Sequence, residues 1–197
     1  LTDRYVLYPR WSHAEGQVAT MWLNLYDSTV LGGRTVPTVD ADGRPISGVA
    51  LGQVKLLPTE TAAFSPPLPL RARFGAAIAL DGVGIARGVD SLDVTLYWRA
   101  LAAPPASYTV FVHLAGPGDR VVAQHDGPPR DGRYPTIFWD PGEVVRDQHR
   151  IALAGVPPGR YHLLVGLYQA ATGARLPATG PVPIRDDAVE VGVVDLP

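Results

Sequence analysis

The sequence predicts an all-β fold: an antiparallel β-sandwich, immunoglobulin-like or jelly-roll, with a partial second copy at the N-terminus. Three observations carry this. Apolar and polar residues alternate along several short runs, as in strands with one buried face. The 197 residues include 21 Gly and 20 Pro, and no long window keeps apolar residues at helical spacing. Proline is costly inside helices and central strands, so this density implies many turns and edges. Third, one phrase is written twice, as "LYDSTVLGGRTVP" at 25–37 and "LYQAATGARLP" at 167–177.

In chain order, "RYVLY" (4–8), "QVATMWLNLYD" (17–27) and "VALGQVKLL" (49–57) read as strands. Segment 58–73 opens with "PTETAAFSPPLPL", which is proline-dense and has no period, so it reads as a linker. "FGAAIALDGVGIA" (74–86) is the most apolar stretch, but it carries Asp81 and is too short to span a bilayer. "LDVTLYWRA" sets Leu92, Val94, Leu96, Trp98 and Ala100 against Asp93, Thr95, Tyr97 and Arg99, a half-buried strand. "SYTVFVHL" (107–114) and "RVVAQHD" (120–126) flank the turn "GPGD", a hairpin. A turn centred between Pro117 and Gly118 puts His113 opposite Val122 and His125 on the other face. "QHRIALAG" (148–155) and "RYHLLVGLY" (160–168) suggest a second hairpin through "VPPG", and "AVEVGVVDL" (188–196) a closing strand.

The repeated phrase extends on both sides. Tyr26 precedes Arg34 and Pro37 as Tyr168 precedes Arg175 and Pro177, and "LGQVKL" (51–56) echoes "VGVVDL" (191–196). Shared order across three strands favours duplication over recurring turn grammar. Residues 1–57 then form the back half of one sandwich unit and residues 74–197 a complete one. A half sandwich cannot bury its apolar face alone, so it docks on the full unit or pairs with another chain.

Composition narrows function. The formal net charge is -2, the sequence pI is about 6.2, and Lys55 is the single lysine. No Lys/Arg cluster offers the basic face that nucleic acid or an anionic membrane surface needs. With no cysteine, disulfides and thiolate chemistry are excluded. The sequence opens at Leu1 without an initiator Met or a signal-peptide pattern, which suggests a piece of a longer protein.

Chemical motifs are sparse. Five histidines occur, and the expectation for His113 and His125 is two unrelated side chains rather than a metal site. No G-x-S-x-G elbow occurs. Asp126, Asp131, Asp140 and Glu143 cluster around "HDGPPRDGRYPTIFWDPGE", but acids beside Gly and Pro are usually turn formers. "DADGRPI" (40–46) looks like an exposed turn and lacks the later acids of a calcium loop. The binding candidate is the stretch with Tyr134 and Trp139, flanked by Arg133, His125 and Asp126, because sugars stack on aromatics and bond to nearby polar groups. Core packing is the competing role for Trp139. Trp98 reads as core, and Trp11 and Trp22 as candidates for the interface of the half copy.

The phrases "LDVTLYWRAL", "YTVFVHL", "GDRVVAQHDGPP", "YPTIFWDPGEVVRD", "PPGRYHLLVGLY" and "ATGARLP" together resemble the soluble C-terminal β-sandwich domains of bacterial polytopic membrane glycosyltransferase-like proteins of the dolichyl-phosphate-mannose mannosyltransferase type. The resemblance covers roughly 74–196. It implies an extracytoplasmic domain tethered through a membrane part outside this chain. It implies no catalytic residues here, because those of such families sit in membrane-domain loops. The expectation is a non-enzymatic accessory domain without cofactors that contacts glycan, the cell surface or another domain of the parent protein. The rival is a purely structural or protein–protein module. A glycan binder should expose Tyr134 or Trp139 in a groove. A structural module should show a large apolar contact between residues 1–57 and the rest, or between chains.

Overall fold

The computed structural model describes residues 16–23, 26–27, 34–35, 38–46, 48–56 and 65–197. Among them no α-helix occurs. The strands are β1 (Gln17–Leu23), β2 (Tyr26–Asp27), β3 (Arg34–Thr35), β4 (Thr38–Val39), β5 (Pro45–Ile46), β6 (Val49–Leu56), β7 (Leu68–Phe74), β8 (Ile78–Arg87), β9 (Ser91–Ala100), β10 (Thr109–Ala115), β11 (Val121–Gly127), β12 (Val144–Ala152), β13 (Gly159–Tyr168), β14 (Ala178–Thr179), β15 (Ile184–Arg185) and β16 (Ala188–Leu196). The strand expected at 4–8 lies outside the described residues.

Two five-stranded antiparallel sheets form the sandwich, in the orders β11-β10-β13-β16-β15 and β12-β9-β8-β7-β14. Alternation builds its core. Leu92, Val94, Leu96, Trp98 and Ala100 of β9 are buried and meet Val110, Val112 and Leu114 of β10 and Leu163, Val165 and Leu167 of β13. Each large side chain buried this way contributes about 1.5–3 kcal/mol. A one-residue slip in any strand would turn its apolar set to solvent, which fixes the register. Phe74 meets Trp98 edge-on, with ring centroids 5.6 Å apart.

Three expectations need correction. The linker gives way to a strand at Leu68, inside the proline-rich stretch. β7 pairs with β14 only at Phe74 and Arg73, so among the described residues its first half is an edge, a position that tolerates Pro69, and its register breaks between Pro69 and Ala72. The expected second hairpin is an arch between sheets: β12 pairs with β9, and β13 with β10 and β16. Both strands are apolar on one face, and putting them in opposite sheets lets those faces meet in one core. Finally, His113 stands opposite Gln124, not Val122, because the turn spans Gly116–Arg120 and a bulge shifts the register after Leu114. The shift is an even number of residues, so His113 and His125 still face opposite sides.

The N-terminal strands repeat a pattern found in the sandwich. In β1–β6, Gln17 stands opposite Leu56 and Met21 opposite Gly52, with a register break just after Met21. In β13–β16, Gly159 stands opposite Leu196 and Leu163 opposite Gly192, with a break just after Leu163. In the echoed phrase Tyr26 bridges to Thr35 and Tyr168 to Arg175, one residue out of step with the match of Arg34 to Arg175. Trp22 is 60% exposed and so does not seal the hairpin against the sandwich. Trp11 lies outside the described residues.

Candidate functional site

β11 and the loop after it carry all five residues singled out in the sequence, and the structure sends them to four places. Tyr134 and Trp139 are each 1% exposed, inside the sandwich core. Trp139 Nε1 donates to the Tyr134 carbonyl at 3.0 Å, and the Tyr134 hydroxyl to Glu143 Oε1 at 2.5 Å. Neither ring offers a face to a sugar, so the aromatic stacking site expected here is overturned. The loop crosses between the sheets over the core, and large aromatics fill that space. Arg133 stays exposed, 3.9 Å from Asp131.

The same loop receives the N-terminal hairpin. Lys55 Nζ donates to Asp140 Oδ2 at 2.6 Å and Glu143 Oε2 at 2.8 Å, and lies 5.4 Å from the centre of the Tyr134 ring. Partial burial opposes the Lys55 charge, but the bonds to Asp140 and Glu143 outweigh it and hold the ammonium well above its ordinary value. Burial and the bond to Glu143 likewise push the Tyr134 phenol up. The Val18 amide donates to the Arg133 carbonyl at 2.9 Å, and Arg130 donates to the Gly16 carbonyl. Of the described hairpin side chains, Val18 packs against the sandwich core. Among the described residues of the hairpin the contact is mainly polar. Asp140 lies in the turn expected for it, with its carbonyl accepting from the Glu143 amide. The two carboxylates converge on a lysine, which is the work of a clamp.

Asp126 is a strand residue rather than a turn former. On the outward face of β11, its Oδ1 meets His113 Nε2 at 3.1 Å. Burial pushes the His113 imidazole below its ordinary value; Asp126 opposes this and Arg175 adds to it. His125 points inward, where sequence reasoning had no partner for it. Its Nδ1 lies 2.9 Å from Nδ1 of His149 on β12, and His149 Nε2 lies 2.8 Å from Asp147 Oδ2. Asp147 is fully buried and also accepts from the Arg130 amide at 2.7 Å and Trp98 Nε1 at 3.3 Å. Arg130 and Asp131 both adopt φ of 55°, and this left-handed pair aims the Arg130 amide at the carboxylate. Among the described residues no group of three or more His, Cys, Asp or Glu side chains is placed to hold a metal.

Beside this chain runs a half-open groove enclosing about 600 Å³. Thr95 and Tyr97 of β9 and Gln148 and Arg150 of β12 line it on the outward sheet face, and His125, His149 and Asp131 border it at the β12 edge. Arg150 is held by Asp93 at 2.6 Å. Of the five residues expected in a binding site, only His125 reaches this groove. The strand starts at Val144, four residues before the expected Gln148, which leaves Asp147 outside the expected strand and hides the face it shares with His149. The available signal was parity: Val145, Asp147, His149 and Ile151 share the inward face. Two polar residues at core positions hid the alternation.

Comparison of the chain with protein-family models found no match. Searches of curated proteins and of solved structures likewise found none.

Proposed function

We propose that this chain is a non-catalytic module that binds glycan along the groove over β8, β9 and β12. The observation that carries this reading is a groove of about 600 Å³ whose hydrogen-bonding side chains stand on strands. Its volume suits a ligand of a few rings, and strands fix polar groups better than loops do. Tyr97 supplies an aromatic side chain beside Thr95 and Gln148. The resemblance in the sequence supports an extracytoplasmic setting, as an accessory domain of a membrane glycosyltransferase-like protein. The test is a glycan array probed with the wild type and a Thr95→Ala/Gln148→Ala variant. Signals weakened in the variant support the groove; signals equal in both place binding elsewhere.

A second reading, a spacer or interaction module built from a duplicated unit, is favoured by the clamp on Lys55 and the shared register of β1–β6 and β13–β16. A uniformly blank array would leave this reading standing.

A further inference from the structure

We propose that Asp147, His149 and His125 form a one-proton relay that sets whether the groove offers an acceptor or a donor at His125 Nε2, a role that rests on the groove being the binding face. The His125 and His149 ring centroids are 5.1 Å apart, near the greatest separation an N···N distance of 2.9 Å permits. The two Nδ1 atoms therefore point at each other as donor and acceptor, and only one proton fits between them.

The Asp147 carboxylate accepts from Arg130, Trp98 and His149. An ionised carboxylate cannot donate, so His149 carries its hydrogen on Nε2 and its Nδ1 must accept. His125 then donates from Nδ1, which leaves Nε2 with a bare lone pair. That nitrogen has no partner among the described residues and is not a buried unsatisfied atom, so it opens to solvent beside the groove.

One added proton reverses this. It can rest on His125, on His149 or on Asp147, and in each case His125 Nε2 carries a hydrogen. If it sits on His149, that ring's Nδ1 donates to His125 Nδ1, which forces the His125 hydrogen onto Nε2. If it sits on Asp147, the chain of bonds reverses with the same result. A second proton would set two N–H groups head to head at 2.9 Å. Around the relay lie Asp131 and Arg130 from the loop, Trp98 and Asp93 from β9, and Gln148 and Arg150 from β12. His113 and Asp126 lie on the opposite face of β11. The groove thus favours donor groups such as hydroxyls before the proton arrives, and carboxylate-bearing saccharides after it.

The test is nitrogen-15 correlation of the histidine rings in the full chain, from about pH 8 to about pH 5. The expected result is Nδ1–H for His125 and Nε2–H for His149 at the upper end, with one proton entering the pair on acidification. His125 found as Nε2–H at the upper end, or each ring binding its own proton, overturns the proposal. A ligand arm compares neutral manno-oligosaccharides with uronate oligosaccharides. The preference for uronate should rise about tenfold as the pH falls, the scale of one charge-assisted hydrogen bond. It should stay flat in His125→Gln, whose amide still donates to His149 but does not titrate. Saccharides that bind with a flat preference in the wild type also overturn it. If the rings titrate as expected but neither saccharide binds at any pH, the relay stands and the glycan reading falls.

Discussion

Lys55 and Glu143, 88 positions apart, meet at 2.8 Å, and Asp140 closes on the same ammonium at 2.6 Å. The Lys55 and Glu143 side chains are each 18% exposed while Asp140 is largely exposed, so the Glu143 bond carries most of the strength. Lys55→Met should weaken docking of the β1–β6 hairpin by about 1–3 kcal/mol. Hydrogen exchange should then speed up in 17–56 while the sandwich keeps its protection.

Trp139→Ala should cost the fold about 3–5 kcal/mol, the usual loss for a buried large aromatic. Urea unfolding should show a lower midpoint at constant slope. A variant that keeps wild-type stability would contradict the packing of Trp139 beneath the loop.

Gly166 leaves room for the Phe111 ring: a Cβ there would collide with that ring and come within 3.1 Å of the Asp187 carbonyl. Phe111 cannot easily yield, because Arg175 lies 4.6 Å from its ring centre and Tyr168 packs on another side. Gly166→Ala should destabilise by about 1–3 kcal/mol through overpacking, visible as a lower Tm.

Acid should erode stability partly through His113. Held below its ordinary value of 6.5, this imidazole binds fewer protons folded than unfolded. Its contribution is fully present above that value and shrinks as the pH falls toward the depressed folded one. His113→Asn should therefore flatten the decline in a series of urea titrations across this window. An unchanged slope would mean that other groups set the acid limit.

The strands most legible in the sequence were those with a simple division of labour. β9 alternates without exception, and β16 spans the 188–196 read from its valines. β7 was hidden because Pro66, Pro67 and Pro69 look like linker residues until an edge position is found for them. The sheet assignment of β12 was illegible for a different reason. "VPPG" is a good turn, and nothing local reveals that its two arms belong to different sheets. At the proposed site, the partners of His125 lie across the sandwich, and only tertiary packing joins β11 to β12. Tyr134 and Trp139 show the reverse problem: the residues that make a sugar platform are also those that fill a core.

Lys55 is also the chain's only lysine, so apart from the α-amino terminus it is the one amine open to acylation. Clamped and held as the ammonium, it should be a poor nucleophile while the hairpin sits on its loop and a good one once the hairpin lifts. The rate of amine labelling then becomes a clock for that motion, readable by mass in the unaltered protein.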